Sequence, residues 1–342
     1  MKPDERSAMI TQQRAAGQPS EWTAAPELIR DAAQLLQRLE LNPEQAGFSA
    51  EAARDFPLRV PRAYADLMEP GNPADPLLRQ VLAIGEETAE VYGYGGDPLA
   101  ESEFSPVPGI LHKYHGRVLL VVTGACAVHC RYCFRRHFPY QEQQATGSRL
   151  NEALAWLAQR TDVEEVILSG GDPLSLSDRR LADLLARLSE IPHLRRLRIH
   201  TRLPVVEPAR LTSRLQDWLT DNPWQTLLVL HANHGREMAP ALTEGLEPLR
   251  RAGVTLLNQT VLLRGVNDDP AVLAALSERL FAAGVLPYYL HLLDPVAGAA
   301  HFEVPEDRAR ALHQQLRARM PGYLVPRLAR EDPGETAKTV LA

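Results

Sequence analysis

Apolar residues in the first third of the chain recur at helical spacing, whereas from residue 117 they gather into short β-branched runs separated by amphipathic stretches. In 26–39 (PELIRDAAQLLQRL), Leu28, Ala32, Leu35, Leu36 and Leu39 fall on one stripe and predict a helix. A second helix is predicted over 76–91, with Asp75 as N-cap before a proline at the first helical position. The run GYGGDPLAESEFSPVPGI that follows is rich in helix breakers and reads as a connector. Strands are predicted at 117–123, 165–168, 194–200, 226–231, 255–263 and 285–293. Helices are predicted near 150–160, 177–190, 207–220, 239–252, 270–283 and 305–318. Six such units predict a parallel sheet covered by helices, because parallel neighbours need a crossover between them. Periodicity alone leaves a barrel and a doubly wound sheet open. The pattern divides the chain into an N-terminal helical region and connector (1–110), an α/β core (111–300) and a C-terminal segment (301–342).

Composition changes this picture little. At 342 residues the chain can bury a large core. Its 37 Lys+Arg against 43 Asp+Glu give a net charge of -6, which carries no electrostatic footprint for nucleic acid. The opening MKPDERSAMITQQRAAGQPSEW has no apolar stretch of signal-peptide length, and no run of about 18 apolar residues predicts a membrane span. A reducing cytoplasm is the expected location for the free thiols.

Candidate chemistry collects where an α/β sheet puts it, after the C-terminal ends of strands. Three cysteines, the whole complement of the chain, stand in GACAVHCRYCFRR as Cys126, Cys130 and Cys133, after the first strand. Gly170-Gly171-Asp172 follows the second strand, Thr201-Arg202 the third and His231 to His234 the fourth, while Gln259 lies in the fifth and Asp294 ends the sixth. Any one of these is an ordinary turn or strand residue; together they predict one shared pocket. CxxxCxxC supplies three thiolates to a 4Fe-4S cubane and leaves one iron for a non-cysteine ligand. The competing readings are a structural zinc site completed by His129 or His137, and three unrelated core thiols. A disulfide framework is disfavoured by the odd count.

These segments, together with ILSGGDPL, HTRLPVV, LHANH, LNQTVLLRGVNDD, PYYLHLLD, the pair His301-Phe302 and PGETAKT, resemble the S-adenosylmethionine radical enzymes and, among them, the lysine 2,3-aminomutases. The resemblance spans roughly 97–338. It implies a partial (β/α)6 barrel of the TIM type preceded by a helical region. It also implies that the open iron binds S-adenosylmethionine, with Gly170, Gly171, Asp172, His231 and Gln259 lining its site. Pyridoxal 5'-phosphate is implied as second cofactor, with Lys338 as its Schiff-base lysine and Arg117 and Tyr114 beside it. Arg135 matches the arginine that binds the substrate carboxylate. Asp294 and Glu331 match the acids that hold the distant ammonium; Glu331 stands where the lysine-fermenting enzymes have aspartate, and Asp332 is an adjacent alternative.

The implied reaction is isomerisation of free L-α-lysine to (R)-β-lysine by a radical 1,2-amino shift. The CFRR run, the short N-terminal region and the lack of cysteines beyond Cys133 resemble the bacterial branch that makes β-lysine for modification of a lysine on elongation factor P. A lysyl-tRNA-synthetase-like ligase would use the product, and a flavodoxin or ferredoxin would supply the electron. An aminomutase for arginine or glutamate, and a non-enzymatic iron-sulfur or zinc protein, are the alternatives. Neither nucleic acid nor a membrane is expected as a partner.

Overall fold

The computed structural model describes Trp22 and residues 26–342. The stretch read for a leader, apart from Trp22, and the first part of the predicted N-terminal region lie outside the described residues. One sheet dominates, and its nine strands lie side by side in chain order. They are β1 (Ile110–Tyr114), β2 (Arg117–Thr123), β3 (Glu165–Gly170), β4 (Arg196–Thr201), β5 (Gln225–Leu230), β6 (Thr255–Val261), β7 (Leu286–His291), β8 (Arg327–Arg330) and β9 (Thr339–Val340). Strands β2 to β8 run parallel, and β1 and β9 close the two edges as antiparallel partners. The crossovers carry α1 (Ser148–Ala158), α2 (Asp178–Ser189), α3 (Ser213–Thr220), α4 (Pro240–Arg251), α5 (Pro270–Ala282) and α6 (Glu306–Arg319).

The six predicted strands all form, and the sheet extends beyond them. The sixth unit continues into β8, so seven strands run parallel instead of six. Residues of β1 (Lys113, Tyr114) and of β9 (Val340) face the same cavity, so the sheet curls until its two edges look onto one space, as a partial barrel requires. The two-residue period decides which groups line that space. In β4, Leu197, Ile199 and Thr201 are buried while Arg198 and His200 turn to the cavity. In β6, Leu256, Asn258 and Thr260 are buried, and Gln259 and Val261 turn inward.

The N-terminal helices are shorter than their periodicity predicts. Over 26–39 the chain first pairs Leu28–Ile29 with Val60–Pro61, and only Ala32–Arg38 is helical, capped by Asp31. Over 76–91 the Asp75 cap forms, accepting from the backbone of Leu77 and Leu78, but the helix lasts only Pro76–Arg79. Leu77, Leu78, Val81 and Leu82 are buried as expected, yet Ile84 bridges to Phe48 and Glu87 turns inward, so tertiary contacts override the local stripe. The segment predicted as a helix over 207–220 splits into a turn at Pro208–Arg210 and α3, which Thr212 caps. One hydrophobic core includes Leu35, Leu36, Tyr64, Leu77 and Leu78 from the N-terminal part together with Leu120, Leu168, Ile199 and Leu228 from the sheet.

Glu87 is the polar anchor of this junction. Its buried carboxylate pairs with Arg131 (2.5 Å) and Arg136 (3.2 Å), both on the cysteine loop, and Arg131 is fully buried. Glu87→Ala would leave two guanidinium groups without their carboxylate. Loss of one partner of such a pair typically costs about 3–5 kcal/mol, so the urea midpoint should fall steeply while Glu87→Gln, which keeps an acceptor, falls less.

Candidate active site

The loop after β2 carries the cysteines and is shaped by its contact with the loop after β3. The Gly171 N–H donates to the Thr123 carbonyl (2.7 Å) and the Asp172 N–H to the Ala125 carbonyl (2.8 Å). A Cβ on Gly171 would stand 2.4 Å from the Ala125 carbonyl oxygen, and one on Gly170, whose φ is +114°, would stand 2.7 Å from that of Thr123. Both glycines thus serve the close approach of two backbones. The Asp172 carboxylate accepts from Thr201 Oγ1 (2.7 Å) and from the backbone N–H groups of Arg202 (2.7 Å), Leu203 (2.8 Å) and Leu174 (3.0 Å). Four internal donors fill its lone pairs, so Asp172 ties the β3 loop to the β4 loop rather than offering a free acceptor to a ligand.

Cys126, Cys130 and Cys133 are half-buried free thiols on one cavity of about 570 Å³. Burial pushes the Cys126 thiol well up and, with Cys130 adding to it, Cys133 to about 11. Such thiols ionise at neutral pH when a metal takes the charge. Neither His129 nor His137 lines this cavity. His129 is bonded through Nδ1 to the Pro57 carbonyl (2.8 Å) and stacks on Phe56, and His137 bonds to the Ala297 backbone. Among the described residues no three His, Cys, Asp or Glu gather tightly enough to share a single ion. A cubane asks for something different, one thiolate per iron. His231 and Gln259 line the cavity; burial first, and then Arg202, lowers the His231 imidazole well below its usual range, leaving it neutral.

A chain of alternating charges crosses the cavity. Arg135 presents Nε and Nη2 to both oxygens of Glu101 (2.7 Å each) and Nη1 to Ser169 Oγ (3.1 Å). Lys113 Nζ lies 3.9 Å from Glu101 and 3.2 Å from Glu331, which also pairs with Lys338. Burial opposes ionisation of Glu331, but Lys338 and Lys113 outweigh it and hold the carboxyl at about 2. Asp294 shares the cavity and has no ion-pair partner among the described residues; burial, followed by the nearby Glu331 charge, raises it to about 7. Asp332 is turned away, bonded to Arg330 (2.9 Å) and Thr339 (2.5 Å), so Glu331 is the acid that faces the cavity.

The wall beside Lys338 is cationic. Arg117 lies 4.7 Å over the Tyr114 ring, and Arg198, Arg327, His200, Tyr288, Tyr289 and His291 complete the lining. Arg198 Nε and His200 Nε2 are buried without a hydrogen-bond partner. Unpartnered buried donors beside a guanidinium and an amine fit a phosphate. The sequence pattern does not mark Glu101 or Lys113, whereas the period-two positions of β4 and β7 mark His200 and His291 as inward.

The radical SAM superfamily model matches residues 120–276. The L-lysine 2,3-aminomutase of Escherichia coli (strain K12) is 50% identical over 94% of this chain and 94% of its own length. The chain belongs to the L-lysine 2,3-aminomutase family. A second member of that family, from Haemophilus influenzae, is 45% identical over 98% of this chain and 99% of its own length. Among solved structures, a radical SAM methyltransferase from Sphaerobacter thermophilus aligns with TM-score 0.47 at 19% identity, covering 65% of this chain and 68% of that one. Membership of the radical SAM aminomutases implies a 4Fe-4S cluster and S-adenosylmethionine, and the three cavity-lining thiols fit the cluster. No described helix is long and apolar enough to cross a membrane.

The raised Asp294 carboxyl gives a pH signature. Because its pKa of about 7 exceeds the unfolded value of about 3.9, the folded chain binds more protons between those limits and stability falls as pH rises through them. Unfolding free energies of the wild type and Asp294→Asn should therefore converge near pH 4 and separate toward pH 8, with the wild type the more weakened. Parallel profiles would contradict the shift.

Proposed function

We propose that the protein isomerises free L-α-lysine to (R)-β-lysine by a radical 1,2-amino shift, with pyridoxal 5'-phosphate held at Lys338 as second cofactor. The product would supply the modification of a lysine on elongation factor P through a lysyl-tRNA-synthetase-like ligase. The supporting observation is the pairing of Lys338 with Glu331, beside the unpartnered Asp294, in the cavity that the three cysteines line. When bound, the cluster with S-adenosylmethionine supplies a carbon-centred oxidant, and pyridoxal phosphate supplies an aldehyde and an electron sink.

The chain's own residues bind and orient. Lys338 offers the amine that an aldehyde captures reversibly. Arg117, Arg198 and His200 supply donors for the phosphate, and Tyr114 supplies an aromatic face. Arg135 has five N–H groups, and Glu101 uses only the side made by Nε and Nη2. Nη1 is taken up by Ser169 Oγ (3.1 Å) and the Gly170 carbonyl (3.5 Å), so the second N–H of Nη2 remains for a substrate carboxylate, with Glu101 fixing the plane of the fork. Asp294 and Glu331 favour a cationic side chain, since a glutamate substrate would bring a third carboxylate to the same place. An incoming ammonium would stabilise the ionised form of Asp294. Gly170, Gly171, His231 and Gln259 present small or neutral groups to S-adenosylmethionine. Residues from both edges of the sheet wall the cavity, an enclosure that would limit access of water during the reaction. A flavodoxin or ferredoxin is the proposed electron donor, in the cytoplasm.

Anaerobic protein given lysine, dithionite and both cofactors should convert α-lysine to β-lysine, resolved by chromatography; unconverted lysine alongside a full cluster would refute the substrate. Cys130→Ser should lose the cluster absorbance and all turnover. Lys338→Ala should keep the cluster and lose both turnover and borohydride-fixed pyridoxal. Asp294→Ala should weaken lysine binding by about 2–5 kcal/mol if the ammonium is desolvated there; unchanged affinity would place the anchor elsewhere.

A further inference from the structure

Arg202, the residue directly after β4, reaches one of the cysteines. Its side chain is 5% exposed, and Nη1 donates to Cys130 Sγ at 2.8 Å and to the Tyr132 hydroxyl. On the other side, Nη2 donates to Glu237 Oε1 (2.8 Å), Gln80 Oε1 (2.8 Å) and the Tyr64 hydroxyl (3.1 Å). Each of these acceptors is itself held. Glu237 is fully buried and accepts from the Tyr64 hydroxyl (3.0 Å) and from the backbone of Asn233 (2.6 Å) and His234 (2.8 Å). Asn233 Nδ2 donates to Gln80 Oε1 (2.9 Å) and to the Tyr132 hydroxyl (2.7 Å). Asp172 fixes the Arg202 backbone.

The guanidinium is therefore aimed by the N-terminal part of the chain, by the β5 loop and by the cysteine loop together. Its orientation has a direction: one edge meets sulfur and the opposite edge meets a carboxylate. A structural ion pair between Arg202 and Glu237 would need only the second edge. The first places a charge-assisted N–H against the Cys130 sulfur in a weakly screened setting.

We infer that Arg202 is a positioning residue for electron entry, which stabilises the reduced cluster through Cys130 and raises its potential, while Glu237 attenuates that effect. Reduction adds one electron from a one-electron donor to the cubane and breaks no bond. The added negative charge spreads onto the thiolate sulfurs, where hydrogen bonds and positive charge favour the reduced state more than the oxidised one. Arg202 remains a cation throughout, so no proton accompanies the electron. This inference rests on the three cysteines holding the cluster.

The test is a potentiometric titration of reconstituted wild type, R202Q, R202K and E237Q without substrate, following the reduced cluster by electron paramagnetic resonance and assaying iron and sulfide. In R202Q the reduction equilibrium should shift about tenfold toward the oxidised form, a potential lower by about 59 mV for one electron. R202K, which keeps the charge without the fork, should fall between R202Q and wild type. E237Q should move the opposite way, to a higher potential. A merely structural part for Arg202 would change cluster content without displacing the two variants in opposite directions. Wild-type potential in a fully loaded R202Q overturns the inference. If R202Q takes up no cluster, E237Q decides: a raised potential supports the inference, and an unchanged or lowered one overturns it. A wild-type chain that takes up no cubane sinks the cluster reading and this inference with it, whereas an unaltered R202Q potential sinks this inference alone.

Discussion

The contact between the backbones at Gly170-Gly171 and at Thr123 to Ala125 fixes the rest of the site. It is a steric constraint before it is a chemical one, because any side chain at either glycine would collide with a carbonyl oxygen. Once the two loops meet, Asp172 lies where it can gather the β4 loop, and the cysteine loop is pinned from inside the sheet. Glu87 and Gln80 pin the same loop from the N-terminal side through Arg131, Arg136 and the Arg131 backbone. Three free thiols are thus held by a scaffold that reaches them from opposite directions, which is how a site placed on a loop acquires the rigidity of the elements beneath it.

The second feature is the ordering of charge. From Arg135 through Glu101, Lys113 and Glu331 to Lys338 the signs alternate, so each buried charge has an opposite neighbour and the cavity tolerates five ionised groups without a bulk solvent. Asp294 stands outside this sequence of pairs, and its carboxyl is correspondingly hard to ionise. It has no ion-pair partner among the described residues, and the proposed function gives that place to the cationic end of the substrate. Under the proposed function, electrostatic order and substrate preference would be two descriptions of one arrangement.

Much of this was legible in the sequence, and the exceptions have physical causes. The strands of β2 to β7 and their crossover helices carry strong period-two and amphipathic signals, and they form close to where the pattern puts them. The short strands β1, β8 and β9 carry too few residues for a period to register, so Ile110–Tyr114, Arg327–Arg330 and Thr339–Val340 went unread. The predicted helix over 76–91 failed because pairing of Ile84 with Phe48 and the Glu87 ion pairs are long-range interactions. Within the site, spacing identified Cys126, Cys130 and Cys133, but spacing cannot reveal that Asp172 is consumed by internal donors or that Glu101 occupies one side of Arg135. Those facts depend on which loops meet.

Lys338 sits at the mouth of the ribbon made by β8 and β9, whose pairing is only Ala329 with Val340 and Arg330 with Thr339. Beyond these pairs the Leu341 N–H donates to the Leu328 carbonyl (2.8 Å) and the Leu328 N–H to that of Ala342 (3.0 Å), so the ribbon is held at the sheet edge by fewer backbone hydrogen bonds than a central strand, and such an edge opens before the centre. Detachment of a handful of residues would carry the amine out of the cavity and break the Glu331 pairing without disturbing the core. On the proposed role of Lys338, inactivation would be separable from global melting, and amide exchange at the ribbon should be faster than in the middle of the sheet.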